Sequence, residues 1–209
     1  MSRLNVAPTK SNQLELKRDL AMATEGFNLL EQKREILVME LMSLLDRVRR
    51  AQIDVDERRE RAYATLRQAV ARNGSQRLQS VAGGVRYEHR VRTGDHVVAG
   101  VRVPDIRVEL GAFHSQFGFG GTDSFTDDAM VHFLELLAAV GRLAELESAA
   151  WLLARELRKT QRRVNALEQI FIPDYKDTLH YIGETLEGKD LESFFVLKMV
   201  KKRKAKAKA

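Results

Sequence analysis

The residues that could do chemistry are few, and a cluster of glycines is the first to test. Gly118-Phe-Gly120-Gly121-Thr resembles a loop that cradles phosphate. No Lys-Ser or Lys-Thr pair follows it, and the third glycine of the dinucleotide-binding fingerprint is missing. We therefore expect no nucleotide at this loop, and a flexible approach to the next helix is the better interpretation.

The histidines are poorly spaced for a metal site. No two of them stand in the His-x-x-x-His spacing, and none has carboxylates beside it in a ligand pattern. The five are His89, His96, His114, His132 and His180. The sequence predicts that His132 is a buried, hydrogen-bonded residue at a helix seam, whereas His89 and His96 bracket a turn and face solvent.

Nucleophilic catalysis has equally little support. The Gly-x-Ser-x-Gly elbow is absent, and the Asp and Glu residues lie mostly on predicted exposed helix faces, where they form ion pairs. The absence of cysteine excludes disulfides, thiolate zinc sites and cysteine nucleophiles. We expect a protein that is not an enzyme and that carries no cofactor or metal.

Length and composition set the broad class. The 209 residues allow one domain or two, and 31% of them are charged. No apolar run approaches the roughly 20 residues of a membrane span, and the first residues lack the apolar core of a signal peptide. We therefore expect a soluble chain that is not secreted.

The net charge of +6 is concentrated at the C-terminus. Residues 196–209 contain seven cations and no acid, which leaves the rest of the chain nearly neutral. The cations are Lys198, Lys201, Lys202, Arg203, Lys204, Lys206 and Lys208. A solvated, disordered tail is the favoured interpretation, and contact with a polyanion or an acidic protein surface is the alternative.

The sequence predicts two long helices on either side of a glycine-rich segment, and these helices must position any functional residues. Nine of the thirteen glycines fall between 74 and 121, and helix-forming residues dominate on either side. The predicted organisation is an N-terminal extended segment, a first helix, a central Gly-rich segment with a β-hairpin, a second helix kinked near Pro173, and a C-terminal segment with the basic tail. The respective ranges are 1–11, 12–72, 73–125, 126–190 and 191–209.

The first helix has an apolar seam that repeats every 3.5 residues. Only Arg34, Arg58 and Thr65 interrupt the sixteen seam positions from 16 to 69. The apolar positions are Leu16, Leu20, Ala23, Phe27, Leu30, Leu37, Leu41, Leu44, Val48, Ala51, Val55, Ala62 and Ala69. A period of 3.5 over so many heptads predicts a left-handed coiled coil.

The second helix repeats the pattern, with Thr160 as its interruption. Its seam comprises Leu136, Ala139, Leu143, Leu146, Ala150, Leu153, Leu157, Val164, Leu167 and Phe171. Thr126 is the predicted cap of this helix, and Asn12 with Glu15 is a weaker start signal for the first. Pro173 removes one backbone hydrogen bond, so we expect a bend there.

These patterns predict a mainly α fold: a long antiparallel two-helix left-handed coiled coil formed by the N- and C-terminal helices, with a small central β-hairpin segment. Each helix of about 60 residues would be on the order of 90 Å long. Residue i is predicted to face about residue 198 − i, to within a turn. The seam residues chosen as structural are Leu41, Val48, Leu143 and Leu157, together with Pro173.

The segment between the helices reads as a hairpin. Its strands are predicted at Val85–Val91 and Val97–Val103, with the turn at Thr93-Gly94-Asp95. Ile106 to Leu110 could add a short third segment. Two strands alone are marginal in water, so the hairpin should lean on the coiled coil or on a partner.

Two features of the helices suggest contacts with other proteins. Arg34 and Arg58 lie at seam positions, where a charge usually extends outward and fixes register; meeting a surrounding protein is the alternative. Trp151 and Leu152 broaden the apolar stripe, together with Leu134, Leu137 and Val140. Either another protein packs there or the hairpin folds back onto it.

Four segments resemble a known family, the D subunits of the V/A-type ATPases. They are Arg3-Leu-Asn-Val-Ala-Pro-Thr-Lys10, Leu29-Leu-Glu-Gln-Lys-Arg-Glu35, Val98-Ala-Gly-Val-Arg-Val-Pro-Asp-Ile106 and Arg163-Val-Asn-Ala-Leu-Glu-Gln-Ile-Phe-Ile-Pro173. They occur in the family's order over nearly the whole chain. Residues 111–125 and the Lys-Ala-Lys-Ala ending do not match the family's pattern.

The resemblance implies a non-catalytic central-stalk rotor that transmits torque between ATP hydrolysis or synthesis in a hexameric head and proton or sodium movement through a membrane ring. Its partners would be the catalytic and regulatory A and B subunits of the head, the F subunit and the connector to the ring. It would bind no nucleotide itself, bind no nucleic acid and insert into no membrane, and it would be cytoplasmic and peripheral to the membrane.

Candidate partner-binding residues follow from that role and from charge. They are Lys10, Lys17, Arg18, Lys33, Arg34, Arg162, Arg163, Lys198, Lys201, Lys202 and Arg203. The same periodicity would also permit a coiled-coil scaffold or adaptor unrelated to rotation. A nucleic-acid-binding protein that uses the basic tail is a third possibility.

Overall fold

Long helices at both ends of the chain pack against each other in the computed structural model, which describes residues 4–86, 88–111 and 122–206. The predicted fold class, mainly α with a small central hairpin, is confirmed. The elements in chain order are α1 (Lys10–Asn73), α2 (Ser75–Gly84), β1 (Arg90–Val98), β2 (Val101–Glu109), α3 (Ser124–Ala166), a π-helical turn (Leu167–Phe171) and α4 (Ile172–Lys206). No helix in the described ranges is long and apolar enough to cross a membrane.

Helix α1 begins at Lys10, two residues before the predicted start, because Thr9 caps it. The Oγ1 atom of Thr9 accepts a hydrogen bond from the backbone N–H of Asn12 at 3.2 Å. The side-chain amide of Asn12 instead donates to the carbonyl of Ala7 at 2.8 Å. A threonine that precedes the first turn satisfies one of its free N–H groups, so the predicted Asn12 cap was wrong.

Gly74 separates α1 from α2, a short helix that the sequence analysis missed. The φ of Gly74, 78°, lies in the left-handed region, where a residue with a Cβ atom would be strained and glycine is not. The N–H of Gly74 still donates to the carbonyl of Val70 at 2.9 Å, so the last turn of α1 is closed at Gly74. α2 then begins at Ser75.

Helix α3 begins at Ser124, and Asp123 rather than Thr126 caps it. The carboxylate of Asp123 accepts hydrogen bonds from the backbone N–H of Thr126 at 3.3 Å and from its hydroxyl at 3.2 Å. The side-chain amide of Asn73, the last residue of α1, donates to the same carboxylate at 2.9 Å. These bonds, chiefly the one from Asn73, hold the pKa of Asp123 below its usual value. The cap therefore also ties the start of α3 to the end of α1.

The chain divides into two compact units, each of which contains segments from both halves of the sequence. The first unit comprises Met1–Glu35 and Arg158–Ala209, and the second comprises Ile36–Leu157. Each of these units pairs a segment of α1 with a later helical segment.

In the first unit, buried side chains lie along α1, α3 and α4. Leu16, Val164 and Ile182 are at most 5% exposed. Thr178, which is fully buried, donates its hydroxyl hydrogen to the carbonyl of Asp174 at 2.7 Å and accepts a hydrogen bond from the N–H of Leu4 at 3.1 Å. The segment before α1 is thus fixed to α4, and the polar atoms of a buried threonine are satisfied.

In the second unit, the hairpin contributes to the core. Val103 of β2 is 1% exposed and belongs to one apolar cluster with residues of α1 and α3. The helical members of the cluster are Leu37, Leu44, Leu146, Ala149 and Leu153. Leu41, Val48 and Leu157, three of the seam residues predicted to be structural, pack against it. Leu143, a fourth, is half-buried.

Contacts across the helices confirm the predicted antiparallel register. Thr65 contacts His132, with Oγ1 and Nδ1 3.3 Å apart, and the rings of Tyr63 and Phe133 meet edge to face with centroids at 5.5 Å. Within the first unit, Arg34 donates to Gln161 at 3.3 Å. These three pairs depart from the predicted partner by one, two and three residues respectively, which is within one helical turn.

The seam assignments were right for all thirteen apolar positions of the first helix, none of which is exposed. In the second helix Phe171 was wrong, because its side chain is 48% exposed. The π-helical turn Leu167–Phe171 explains the error, since a wider turn changes the face on which later side chains lie. Pro173 lies two residues after the end of this turn and lacks the N–H that a regular helix would need there. A π turn thus precedes Pro173 and the helix continues to Lys206, whereas the bend expected at Pro173 stays a prediction.

The hairpin turn lies five residues later than predicted. Ala99 and Gly100, with φ values of 50° and 77°, form a two-residue turn, and Gly94 is paired with Asp105 inside the ladder. Two successive left-handed residues match the twist of the strands, so this turn replaces Thr93-Gly94-Asp95. The first strand begins at Arg90, with Val85 and Arg86 outside it, and the proposed third segment is the end of β2.

Several predictions concern residues outside the described ranges. These are the glycine cradle at 118–121, His114, and most of the 111–125 segment. At the C-terminus the expected disordered tail was wrong as far as Lys206, because α4 continues to that residue.

Candidate partner-binding surfaces

The charged candidates near the start of α1 are exposed. Lys10 forms an ion pair with Asp190 at 3.4 Å, and the two side chains are 75% and 68% exposed. An ion pair so accessible to water contributes little to stability. Lys17 and Arg18 lie exposed about two turns further along α1. All three cations are therefore accessible to another protein.

The next group of candidates divides between bound and exposed residues. The guanidinium of Arg34 is half-buried and donates to the carboxylate of Glu31 and to the amide oxygen of Gln161. Lys33 is also half-buried and has a partner within the chain. Arg162 and Arg163, on α3, are exposed. Arg34 therefore contributes to the register of its own unit, whereas the two α3 arginines face outward.

Arg58 plays the equivalent role in the second unit. It donates to Asp54 at 2.8 Å and lies 3.7 Å from a carboxylate oxygen of Glu135, across the helix pair. The hydrogen bond to Asp54 raises the pKa of Arg58, so the side chain remains charged. A cation at a seam position has thus found acidic partners within the pair itself.

The predicted histidine and tryptophan environments can also be compared with the structure. The ring nitrogen of His132 contacts the Thr65 hydroxyl as predicted, but the side chain is half-buried and not buried. His89 and His96 are exposed, but they do not bracket the observed turn. Leu152 packs against the cluster that contains the hairpin, whereas Trp151 remains 73% exposed. The hairpin therefore accounts for only part of the broadened apolar stripe.

The basic candidates at the end of α4 lie beside a large apolar surface that the sequence analysis missed. Lys198, Lys201, Lys202 and Arg203 are exposed. Seven of the ten residues from 191 to 200 are large apolar side chains that are 44% to 67% exposed. They are Leu191, Phe194, Phe195, Val196, Leu197, Met199 and Val200. The signal in the sequence was the uninterrupted run Phe194-Phe-Val-Leu197.

These apolar side chains do not form a single stripe. Successive residues of a helix are separated by about 100°, so consecutive residues at 194–197 already point in four directions. Met199 and Val200 add further directions, and Lys198 is the one charge between 193 and 200. We call residues 191–204 the terminal segment. A helix that is apolar on every side is normally enclosed by other protein.

The terminal segment begins where α4 loses its neighbour in the first unit. The Lys10–Asp190 pair joins the first residue of α1 to α4, and every described side chain from 187 to 204 is exposed. Ile182 and Thr178, only two and three turns earlier in the same helix, are fully buried. The chain therefore supplies a partner for α4 up to about Asp190 and none for the four turns that follow among the residues described.

The cavities of the second unit differ in their lining, and two of them include charged side chains, such as Arg58 with Glu135 and Arg47 with Glu145. One cavity of about 270 Å³ between α1, α2 and α3 is lined almost wholly by apolar side chains such as Leu66, Leu78 and Phe133. Its polar exception is the Thr126 hydroxyl, which is already bonded to Asp123. In the described part of the chain no group of three His, Cys, Asp or Glu residues is placed to hold a metal ion.

Comparison with known proteins identifies the family. The family model for the D subunit of ATP synthase matches residues 12–202. The second of the V-type ATP synthase D subunits of Treponema pallidum is 40% identical over 199 residues, covering 95% of each chain. The V-type ATP synthase D subunit of Thermotoga neapolitana is 34% identical and covers 97% of this chain and 100% of the relative. The A-type ATP synthase D subunit of Pyrococcus abyssi is 37% identical, over 95% and 94% respectively.

The match covers both helical ends and the hairpin, and these are the elements that carry the exposed cations and the terminal segment. Because the match extends over nearly the whole chain, the similarity is not limited to a single motif. This protein therefore belongs to the family of ATP synthase D subunits found in the V/A-type ATPases.

Proposed function

We propose that the chain is the non-catalytic central-shaft, or rotor, subunit of a V/A-type ATPase. In this role it transmits torque between the nucleotide chemistry of the hexameric head, formed by the A and B subunits, and ion movement through the membrane ring. The terminal segment of α4 enters the head. The F subunit and the connector to the ring bind other parts of the chain.

The terminal segment carries this proposal. Its apolar side chains surround α4 and are 44% to 67% exposed, so a flat partner would leave part of them in water. A ring of subunits that encloses the helix would cover all sides at once. At about 25 cal/mol per Å² of apolar surface buried, such enclosure is a strong driving force for assembly.

The charges near the terminal segment support the same location. Lys198, Lys201, Lys202 and Arg203 follow or interrupt the apolar run, and Lys10 lies where α1 begins. Exposed cations fix orientation and select partners more than they add affinity. A rotor needs such directional contacts, since it must favour one conformation of each surrounding site in turn through differential binding.

The paired helices supply the mechanical element. A single helix bends easily, whereas two helices with interlocking side chains resist bending and twisting. Leu37, Leu44 and Leu153 are at most 9% exposed in the second unit, and Leu16, Val164 and Ile182 are at most 5% exposed in the first. Close packing of this kind has low compressibility and transmits strain. The chain itself would bind neither nucleotide nor nucleic acid and would not enter the membrane; the complex would hold it at the cytoplasmic side.

The test replaces one apolar side chain of the terminal segment. Phe194→Asp in a reconstituted ATPase should weaken assembly or uncouple ATP hydrolysis from ion movement, because a carboxylate would be enclosed in an apolar collar. Ser193→Asp is the matched control, since it adds the same charge at the preceding exposed residue without removing apolar surface. Hydrolysis, ion transport and bead rotation are measured for each.

Full coupling in the Phe194→Asp complex would remove the terminal segment as the head contact. An isolated homodimer that never co-purifies with the head subunits would instead favour the coiled-coil scaffold. Retained rotation with coupled transport is the result that the proposal predicts for the unmodified chain.

A further inference from the structure

The two strands of the hairpin have different surroundings. Every residue of β1 from Arg90 to Val97 is exposed, whereas most residues of β2 are half-buried and Val103 is 1% exposed. β2 is therefore the strand that fixes the hairpin to the second unit. β1 is the strand that the hairpin presents to solvent.

The attachment of β2 is close enough to act as a fixed support. A Cβ atom added to Gly141 of α3 would lie 2.2 Å from Cγ2 of Val108, so the strand packs in a notch that only glycine leaves open. Val103 packs with Leu44 and Leu146 in the apolar cluster nearby. Two attachment points along one strand hold its direction, and β1 follows because nine residue pairs join it to β2.

The register shows which backbone groups of β1 are unpaired. The two-residue turn at Ala99 and Gly100 makes Val98 and Val101 the closing hydrogen-bonded pair, and such pairs alternate along an antiparallel ladder. The N–H and C=O groups of the intervening residues therefore point away from β2. On β1 these residues are Val91, Thr93, Asp95 and Val97. Pro104 agrees with this phase, because it has no N–H and lies opposite Asp95.

β1 has no proline and no bulge to oppose strand addition at its outer edge, and its charged residues are Arg90, Arg92 and Asp95. Edge strands of soluble proteins are commonly guarded by proline, bulges or charge, and β2 has Pro104 on its outer edge. The outward residues of β1 include Val91 and Val97, which are 64% and 65% exposed. Asp95 is the one charge among them, and within the described ranges no ion pair or hydrogen bond of its side chain is observed.

We propose that the outer edge of β1 binds an extended segment of another ATPase subunit, which adds a third strand to the hairpin. Main-chain hydrogen bonds from the outward groups hold the segment, and side chains set its identity. Its residues opposite Val91 and Val97 are apolar, and the residue opposite Asp95 is a lysine or arginine. The inference rests on membership of the ATPase and not on rotation of the chain.

Hydrogen exchange of the backbone amides tests this arrangement. The purified chain and the intact ATPase that contains it are compared by mass spectrometry with single-residue resolution. Assembly should slow exchange at Val91, Thr93, Asp95 and Val97 by about tenfold or more, since their N–H groups gain partners. The outward amides of β2, at Arg102, Ile106 and Val108, should change less.

Three exchange results would overturn the proposal. These are no slowing at the four β1 amides in the complex, equal slowing on both edges, and protection already present in the isolated chain. The last would assign the edge to a segment of this chain. Slowed exchange on β1 in a complex that does not rotate would leave the inference intact while the proposed function fails.

A pair of proline substitutions provides an independent test. Thr93→Pro removes one outward N–H from β1, and Arg102→Pro removes one from the outer edge of β2, so both spare the ladder between the strands. Rebinding to an ATPase depleted of this chain should fall by about tenfold or more for Thr93→Pro and stay near the unmodified value for Arg102→Pro. Equal binding by the two folded variants would contradict the proposal, and circular dichroism checks that both are folded.

Asp95→Lys tests the side-chain part of the inference without touching the backbone. The substitution should also lower rebinding, because it places like charges opposite each other, and Asp95→Asn should have an intermediate effect. Unchanged rebinding of Asp95→Lys would remove the basic residue from the description of the partner strand.

Discussion

Helix α4 contains two regions that both carry large apolar side chains but place them in opposite environments. Ile182, in the first region, is fully buried against the rest of its unit, whereas Phe194 and Phe195, in the terminal segment, are 62% and 60% exposed. The difference lies in the neighbours that the chain provides, because α1 begins at Lys10, beside Asp190. An apolar residue is buried only where the fold supplies a partner for it.

The hairpin shows the same contrast on a smaller scale. β2 lies against α1 and α3, with Val103 and Val108 in close contact, and β1 carries Val91 and Val97 into solvent. Both exposed regions continue an element whose other part is firmly packed. This combination of a fixed support and an uncovered apolar surface is typical of a subunit that is completed by its partners.

The strongest way to break the comparison is to place the same charge in both regions of α4. Ile182→Asp should lower the free energy of unfolding of the isolated chain by about 4 kcal/mol, since it buries an unpaired carboxylate and leaves a cavity. Phe194→Asp should change it by no more than about 0.5 kcal/mol. Urea unfolding followed by circular dichroism measures both. Similar losses for the two variants would show that the terminal segment is packed in the isolated chain.

A smaller effect is expected where β2 meets α3. Gly141→Ala places a methyl group against Val108 and should lower the free energy of unfolding by about 1 kcal/mol, as overpacking exceeds the gain in helix propensity. In a Val108→Ala background the same change should raise it by about 0.5 to 1 kcal/mol, because the clash is gone and alanine favours the helix. A double-mutant cycle of melting curves measures the difference. Additive effects would mean that Val108 does not occupy the notch.

The smallest change in stability is expected at the junction of α1 and α3, where Asp123 caps α3. Because the folded pKa of Asp123 lies below the unfolded value of about 3.9, its charged form stabilises the folded chain above that pH. The contribution is lost as pH falls through the unfolded and then the folded pKa. Asp123→Asn, which resembles the protonated acid, should therefore be less stable than the unmodified chain at pH 7 and should approach it below about pH 4. If the difference in stability between the two proteins grew as the pH fell, the pKa of Asp123 would be raised and not lowered in the folded chain.

Much of the helical core could be predicted because a heptad pattern reports burial directly. All thirteen apolar seam positions of the first helix avoid solvent, and the contacts of Thr65 with His132 and Tyr63 with Phe133 follow the expected register. The assignment of Phe171 to the seam failed because a heptad pattern assumes a regular α-helix throughout. The π turn before Pro173 breaks that assumption.

The hairpin and the caps were harder to predict, since several residues competed for the same role. Gly94 and Gly100 can both form turns. The turn lies at Gly100, which allows nine residue pairs between the strands and places Val103 in the core. Asp123 displaced Thr126 as the cap because its carboxylate also accepts the amide of Asn73, a residue fifty positions away. Local propensity contains no information about such distant partners.

The candidate surface divides in the same way. Exposed Lys10, Arg162 and Arg163 could be chosen from charge alone, but Arg34 turned out to bind Glu31 and Gln161 within its own unit. The apolar run of the terminal segment can be read from the sequence. Its exposure follows only from the structure, in which α4 continues beyond the start of α1. Nothing in the run itself indicates whether the chain covers it.

The sequence by itself determined the two long helices, their antiparallel pairing and the family, because side-chain periodicity and motif order are properties of the chain alone. The tertiary structure decided which strand of the hairpin is fixed, which arginine is bound and where α4 loses its partner. Each of these depends on distances between residues far apart in the chain, and a linear pattern does not encode those distances.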